Sequence, residues 1–268
     1  MRFVAALAVL TAVGTLPAAA QDAPSRVNWF LKGLHTGVCV DFLVSPAAVR
    51  LHLGGSAALT PIESVADRYP ALARVASAET AYHGWAPAQY CWYLYREAVI
   101  RGRQVLVDHG RQPVAVGYLA VAASGLPDSS DAIVLSLFTN SGSLASVAAG
   151  ARFKVEEIDL TIGLIPGAED SPDERRFLAR HGRTSVQWDG HPGASRPPES
   201  RSIQLTGAMV GNGYFPIAAA FEADSAFVAS GNLGVTGQGE LYALLASSPI
   251  RLLTSYLRGG DADWVLGQ

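Results

Sequence analysis

The stretch Gln-Tyr-Cys-Trp-Tyr-Leu-Tyr-Arg-Glu-Ala, residues 89–98, is dominated by aromatic side chains and is typical of a β-strand. Alternate side chains of a strand share a face, which here groups four residues: Cys91, Tyr93, Tyr95 and Glu97. We therefore expect an aromatic wall that ends in a carboxylate and borders a cavity. The alternative is a strand-end glutamate that meets solvent, because Glu is rarely fully buried.

Short runs of the same character lie on both sides of this strand. The pattern predicts further strands at residues 37–44, 104–107, 114–122, 132–138, 153–164, 202–209, 215–221 and 241–246. It predicts helices at residues 47–53, 63–78 with a break at Pro70, and 171–180, followed by a surface excursion to residue 200. Many strands with few short helices indicate an α+β, β-rich fold, and we expect a single barrel or conical sheet around a cavity.

The first twenty residues have the order of a secretory signal peptide. Arg2 precedes an apolar run at residues 3–16, and small residues up to Ala20 come before the polar Gln21. Cleavage there would leave residues 21–268 as one β-rich, barrel-like domain in the periplasm or outside the cell, with no membrane association. A retained anchor helix is the alternative, but the apolar run is shorter than the about 20 residues that a bilayer requires.

The charge balance argues against a nucleic-acid partner. The chain has 20 basic and 23 acidic residues, with no basic cluster that could neutralise a row of phosphates. Its six histidines are scattered without the spacing of metal ligands. Neither a serine-hydrolase elbow nor a phosphate-binding glycine loop is present in the sequence. We therefore expect neither a metal nor another cofactor.

The chain contains two cysteines, Cys39 and Cys91. In an oxidising compartment an even number of cysteines favours a disulfide. Two buried free thiols are the alternative, because cysteine often serves as a small core residue. We predict a bond between the two.

Lysine is scarce, since Lys32 and Lys154 stand against eighteen arginines. A buried lysine can lose its proton and become a nucleophile, which an arginine cannot do. Strand alternation over residues 153–160 places Lys154 on the side of Ile158 and Leu160, toward apolar surroundings. The alternative is an ordinary ion pair with Glu156 at a solvated strand end.

Four segments of the sequence resemble parts of one known protein family. They are residues 40–49 (VDFLVSPAAV) with 58–62 (ALTPI), residues 95–99 (YREAV), residues 150–154 (GARFK), and residues 235–250 (VTGQGELYALLASSPI) continuing to 262–263. Together they resemble the acetoacetate decarboxylase family. The resemblance implies a cone-shaped β barrel with a few short helices. It also implies that Lys154 forms a Schiff base and that Glu97 lines the active site.

The chain departs from that family around the expected nucleophile. Ala148 and Ala149 stand near the place of the family's Gly-Arg-Glu, and Lys154 has neither a proline before it nor a second lysine after it. The arginine that the family places near the position of His35 is also missing. Without that arginine a neutral carbonyl substrate fits better than an acidic one.

The resemblance therefore favours a secreted lyase that acts on a small carbonyl compound by decarboxylation or by aldol and dehydration chemistry. Lys154 would be the nucleophile and Glu97 would orient substrate or move a proton, both at one cavity lined by Tyr93, Tyr95 and Phe153. The alternative is a non-catalytic barrel that holds a small hydrophobic ligand. The sequence is also compatible with a homo-oligomer.

Overall fold

The structure is a computed structural model that describes residues 26–49, 53, 57–100, 103–105, 113–126, 130–164, 175–208, 213–248 and 250–267. The expected signal peptide and the start at Gln21 lie outside these residues. So do residues 50–52 and 171–174, which belong to two of the expected helices, and residues 106–107 and 209, each at the end of an expected strand.

The described chain is rich in strands, as expected, with short helices between them. The strands are β1 Val27–Val44, β2 Ala58–Leu59, β3 Ala86–Ile100, β4 Arg103–Val105, β5 Val114–Ser124, β6 Ala132–Thr139, β7 Glu156–Glu157, β8 Asp159–Leu164, β9 Arg175–His181, β10 Thr184–Arg196, β11 Glu199–Ala208, β12 Tyr214–Ala223, β13 Ser225–Gly237, β14 Arg251–Arg258 and β15 Ala262–Leu266. The helices are α1 Pro46–Val49, α2 Pro70–Ala78, α3 Gly142–Gly150 and α4 Glu240–Ser247, with 3₁₀ turns at Ile62–Val65 and Thr80–Tyr82.

Seven strands close into a ring. They run in the order β3-β5-β6-β11-β12-β15-β1, and the antiparallel pairing of β1 with β3 completes the circuit. The ring interior is filled by a single cluster of large side chains from several strands, among them Trp29, Tyr93, Tyr118, Phe221 and Trp264. The interior is thus a packed aromatic core.

A second group of strands continues from β1 in the order β14-β13-β10-β9-β8. Its side chains form another cluster with the opposite faces of β1, β3 and β5, in which Tyr90, Trp92 and Leu119 meet Phe177 and Trp188. Strand β3 is therefore buried on both faces. This explains why its sequence is almost continuously aromatic between residues 90 and 95 instead of alternating with polar residues.

Two expected elements are wrong. Residues 241–246, expected as a strand, belong to helix α4, whose buried Leu244 and Leu245 follow Leu241 at helical spacing. Residues 175–180, expected as part of a helix, form strand β9, in which Phe177 and Ala179 are buried and alternate with more exposed neighbours.

Three further differences concern the middle of the chain. Residues 184–196, expected as a surface excursion, form β10 between β9 and β13. Helix α3 has no counterpart among the expected helices, and its N-terminus is capped by the Ser141 side chain, which accepts a hydrogen bond from the Leu144 amide. The strand expected from residue 153 begins at Glu156. The expected break at Pro70 is present, because α2 begins at that proline.

Cys39 and Cys91 are joined by a disulfide, as expected. The two residues face each other directly in the β1–β3 ladder, and both are buried on the ring side of the sheet. Among the described residues, no helix is long and apolar enough to cross a bilayer.

Candidate functional site

A cavity of about 530 Å³ lies between the outer face of the ring and the second group of strands. Its apolar lining includes five leucines from β5, β6 and α4: Leu119, Leu135, Leu137, Leu241 and Leu244. Its polar lining includes charged and titratable groups that come from three separate parts of the chain: Lys154, Glu156, His181, Arg183 and Glu240. An apolar wall with a few convergent polar groups is the usual composition of a small-molecule site.

The end of α3 places Lys154 at this cavity. The amide of Arg152 donates to the Ala149 carbonyl at 2.8 Å, and the amide of Phe153 donates to the Ala148 carbonyl at 2.9 Å. Arg152 has a left-handed φ of 65°, which completes a Schellman motif. The reversal turns Phe153 into the ring core and leaves Lys154 exposed at the cavity. The apolar burial expected for Lys154 is therefore not found.

Glu156 is anchored beside Lys154 by two hydrogen bonds. The Ser136 hydroxyl donates to Oε2 of Glu156 at 3.0 Å, and Nδ1 of His181 lies 3.3 Å from the same oxygen. On its other side, Nε2 of His181 lies 2.7 Å from the hydroxyl of Tyr90. The four side chains form one continuous chain of hydrogen bonds, which we call the Tyr90 relay. It runs from the second core, which is the cluster that contains Tyr90, Phe177 and Trp188, to the cavity wall.

The protonation states along the Tyr90 relay follow from its surroundings. Burial alone would raise the pKa of Glu156, but the hydrogen bond and the charge of His181, the hydrogen bond from Ser136 and the charge of Lys154 outweigh it, so that this pKa lies below its ordinary value. Complete burial raises the pKa of Tyr90 well above 10, and the nearby Glu156 charge adds to the effect. At neutral pH the relay therefore ends in an ionised carboxylate and begins in a protonated phenol.

The three residues expected to line the substrate site lie inside the ring instead. Tyr93, Tyr95 and Phe153 belong to one buried cluster there, and none of them lines the cavity of Lys154. Phe153 stacks on Phe215 with ring centroids 4.2 Å apart. Burial raises the pKa of Tyr93 to about 12. These side chains pack a core, on the opposite side of the sheet from Lys154.

Glu97 does not join Lys154 at the cavity either. It is half-buried on β3 opposite Lys32 of β1. The positions of β3 that face the ring interior change from odd to even between Tyr95 and Ala98, where Gly33 of the facing strand has a φ of 64°. Glu97 therefore leaves the face that it was expected to share with Tyr93 and Tyr95. The structure brings Lys154 to Glu156 and His181 rather than to Glu97.

Comparisons with known proteins give matches by structure alone. The sequence matches no protein-family profile and no curated protein sequence. One similar solved structure is an acetoacetate decarboxylase from Legionella pneumophila, with 8% identity, a TM-score of 0.47, and coverage of 98% of this chain and 96% of that one. Another is an acetoacetate decarboxylase-like enzyme from Sphingomonas wittichii RW1, with 9% identity, a TM-score of 0.41, and coverage of 96% and 97%.

A third similar structure is the enduracididine biosynthesis enzyme MppR complexed with pyruvate, with 12% identity, a TM-score of 0.46, and coverage of 93% of this chain and 90% of that one. The chain is similar to acetoacetate decarboxylase and related enzymes, the family that four of its sequence segments resemble.

Proposed function

We propose that this chain binds a small carbonyl compound in the leucine-lined cavity and forms a Schiff base with it through Lys154, in the periplasm or outside the cell. The observation that carries the proposal is the shared position of Lys154 and the anchored carboxylate of Glu156 at one cavity. The disulfide and the lack of a membrane-spanning helix among the described residues are compatible with that compartment.

The proposed chemistry uses Glu156 where the sequence had suggested Glu97. The neutral amine of Lys154 adds to the carbonyl carbon, and the carbinolamine takes up a proton from solvent and loses water to leave an iminium ion. The electron pair of a breaking bond, to a carboxylate or to a neighbouring carbon, then moves into the iminium and gives an enamine. Glu156 is ionised at neutral pH and held in place, so its charge stabilises the iminium without reorganisation.

The cavity supports an apolar substrate. Five leucines line it, and a ligand that fills it displaces water from around the Lys154 amine. Such displacement strengthens the interaction between the iminium and Glu156, because charges interact more strongly in a drier site. We therefore expect aldehydes and ketones with longer aliphatic chains to react better than short, strongly hydrated aldehydes and ketones.

A second candidate function is binding without chemistry. It is favoured by the exposure of Lys154, because an exposed lysine close to a glutamate is a common surface pair. In that case the cavity holds a small hydrophobic ligand and Lys154 only borders its mouth.

Reductive trapping separates the two functions. The purified chain is incubated with hexanal and cyanoborohydride, and the modified residues are located by mass spectrometry. The other lysine, Lys32, is exposed and lies on β1 away from the cavity, so it is an internal control. We expect labelling of Lys154 to exceed that of Lys32 at least about tenfold, equivalent to about 1.4 kcal/mol.

Two variants complete the design. Lys154→Arg keeps the charge but removes the nucleophile, and should abolish the preferential label, whereas Lys32→Arg should leave it unchanged. Equal labelling of the two lysines, together with saturable binding of hexanal, would establish the binding function and exclude the Schiff base.

A further inference from the structure

The Tyr90 relay has a direction that the hydrogen-bond partners determine. Tyr90 is fully buried, and its raised pKa keeps the hydroxyl protonated. Its hydroxyl lies 2.7 Å from Nε2 of His181, and it donates to that nitrogen when the imidazole is neutral, because the ionised Glu156 carboxylate on the other side of the ring can only accept. In a neutral imidazole the proton then resides on Nδ1, which faces the Glu156 carboxylate.

The imidazole ring is held in this orientation by packing. His181 is buried, with 2% of its side chain exposed. Its ring meets Phe138 edge-on at a centroid distance of 4.6 Å, and Phe138 in turn stacks on Tyr90 at 5.4 Å. A ring flip would place a protonated nitrogen against the donating hydroxyl of Tyr90 and an unprotonated one against the carboxylate. The Tyr90 hydroxyl could turn and accept from the protonated nitrogen, but the hydrogen bond to Glu156 would be lost.

The consequence is a fixed carboxylate at the cavity wall. The bonds from Ser136 and His181 both end on Oε2 of Glu156, which leaves Oε1 to accept a bond from a ligand or from Lys154. A carboxylate in which one oxygen is anchored twice keeps its other oxygen in a defined position.

We propose that Tyr90 and His181 are positioning residues, which hold Glu156 in the orientation that stabilises the Lys154 iminium. Tyr90 fixes the tautomer and His181 passes this constraint on to Oε2, so both residues act through Glu156. The inference rests on the proposed Schiff-base function and assigns a role to a buried histidine and a buried tyrosine that this function does not otherwise use.

Two substitutions at one position separate positioning from packing. In His181→Asn the side-chain NH₂ lies near the place of Nδ1 and can still donate to Glu156. In His181→Gln the amide lies nearer the place of Nε2, so that Tyr90 keeps a partner while Glu156 loses its donor. We expect the rate of hexanal trapping at saturating aldehyde to fall about tenfold in His181→Gln, as for one charge-assisted hydrogen bond, and at most about threefold in His181→Asn.

The concentration of hexanal that gives half the maximal rate should be similar in both variants, because the leucine wall is unchanged. If the two variants lose the same rate, and the loss follows their loss of unfolding free energy, His181 is a packing residue. That result would overturn the inference. Tyr90→Phe, which keeps the ring but removes the donor, should resemble His181→Gln in rate.

A measurement that needs no substrate tests the relay itself. Long-range ¹H–¹⁵N correlation spectra of the unliganded protein report the tautomer of each histidine. We expect His181 to carry its proton on Nδ1 in the wild type and to lose that preference in Tyr90→Phe. A proton on Nε2 in the wild type would overturn the inference. A wild type that is not labelled at Lys154 would overturn the proposed function, and the tautomer would still test the relay.

Discussion

At the scale of single residues, Asp41 is the counterpart of Glu156 on the other side of the sheet. Nε2 of Gln89 donates to its Oδ1 at 2.8 Å, and Oε1 of Gln89 accepts from the Tyr118 hydroxyl at 2.7 Å. Burial raises the pKa of Asp41, and the hydrogen bond from Gln89 and the charge of Arg201 offset only part of this effect. The folded state therefore disfavours the ionised form of Asp41.

This shift predicts a specific dependence of stability on pH. Because the pKa of Asp41 is higher in the folded than in the unfolded chain, its contribution is present at low pH and is lost as the pH rises through the folded value. Asp41→Asn removes the ionisation and still accepts from Gln89. We expect the variant to be more stable than the wild type at pH 8, by an amount that vanishes below about pH 4.

Urea unfolding at several pH values measures this difference. Asp67→Asn, at an exposed position, is the control and should follow the wild type throughout. A variant that is less stable than the wild type at pH 8 would show that the ionised Asp41 is well solvated or well paired.

Some of the site could be predicted from single residues and some could not. Lys154 was identifiable because lysine is rare in this chain and because its segment resembles a nucleophile segment, and the structure places it at a cavity. Tyr90, Glu156 and His181 come from β3, β7 and β9, and no local pattern links them. Their contact depends on how distant strands pack, which a search for spacing motifs does not detect.

At the scale of elements, β5 shows how closely neighbouring strands approach. Gly117 lies opposite Trp92 of β3 and Phe138 of β6. A Cβ at this position would overlap the carbonyl oxygen of Cys91 and the ring of Phe138. The backbone oxygen belongs to β3 and cannot retreat without disturbing the β3–β5 ladder.

Gly117→Ala should therefore destabilise the chain by about 1–3 kcal/mol, the usual range for overpacking a core. Gly150→Ala is the matched control, because nothing lies within 4 Å of the added atom and the position is the last of α3. It should be neutral or stabilising by up to about 1 kcal/mol, from helix propensity. Thermal unfolding of both variants measures the contrast, and equal effects would contradict the close approach at Gly117.

The elements that were wrong share a physical cause. Residues 175–180 bury Phe177 and Ala179 on one face and carry Arg176 and Arg180 on the other, so their charges suggested a solvated helix although their period is two. In α4 the leucines belong to a short apolar run, and the spacing of apolar residues in such a run does not distinguish a strand from a helix. In both segments, packing against the second core, to which Phe177 and Leu244 belong, determines the secondary structure.

At the scale of the whole molecule, the β-rich class could be predicted from short runs and turns, but the closure of the ring could not. Closure joins β1 both to β3 and to β15, and β15 is the last strand in the sequence. Residues far apart in sequence must pair for this, and the local pattern of each strand is the same whether its partner is near or far. The burial of β3 on both faces follows from the same long-range arrangement.

The disulfide ties the first strand of the ring to the next. Cys39 and Cys91 are 52 positions apart, and cross-linking a loop of this length removes conformational entropy from the unfolded chain worth about 4 kcal/mol. The β1–β3 ladder extends well beyond the bond on both sides, from Trp29 opposite Ile100 to Val44 opposite Ala86. The folded state therefore keeps its hydrogen bonds when the disulfide is opened. Opening it should lower the free energy of unfolding and leave the fold unchanged.

We expect reduction to lower the free energy of unfolding by about 4 kcal/mol, which for a chain of this size lowers the melting temperature by roughly 10 °C. Comparing oxidised and reduced wild type isolates the cross-link, because no side chain is removed. The double variant Cys39→Ala, Cys91→Ala should be less stable than the reduced protein, since both sulfurs are buried and their loss leaves a cavity. Far-ultraviolet circular dichroism should be the same for all three forms. Thiols that titrate in the unfolded, unreduced protein, or a melting temperature that reduction does not change, would show that the cross-link does not stabilise this molecule.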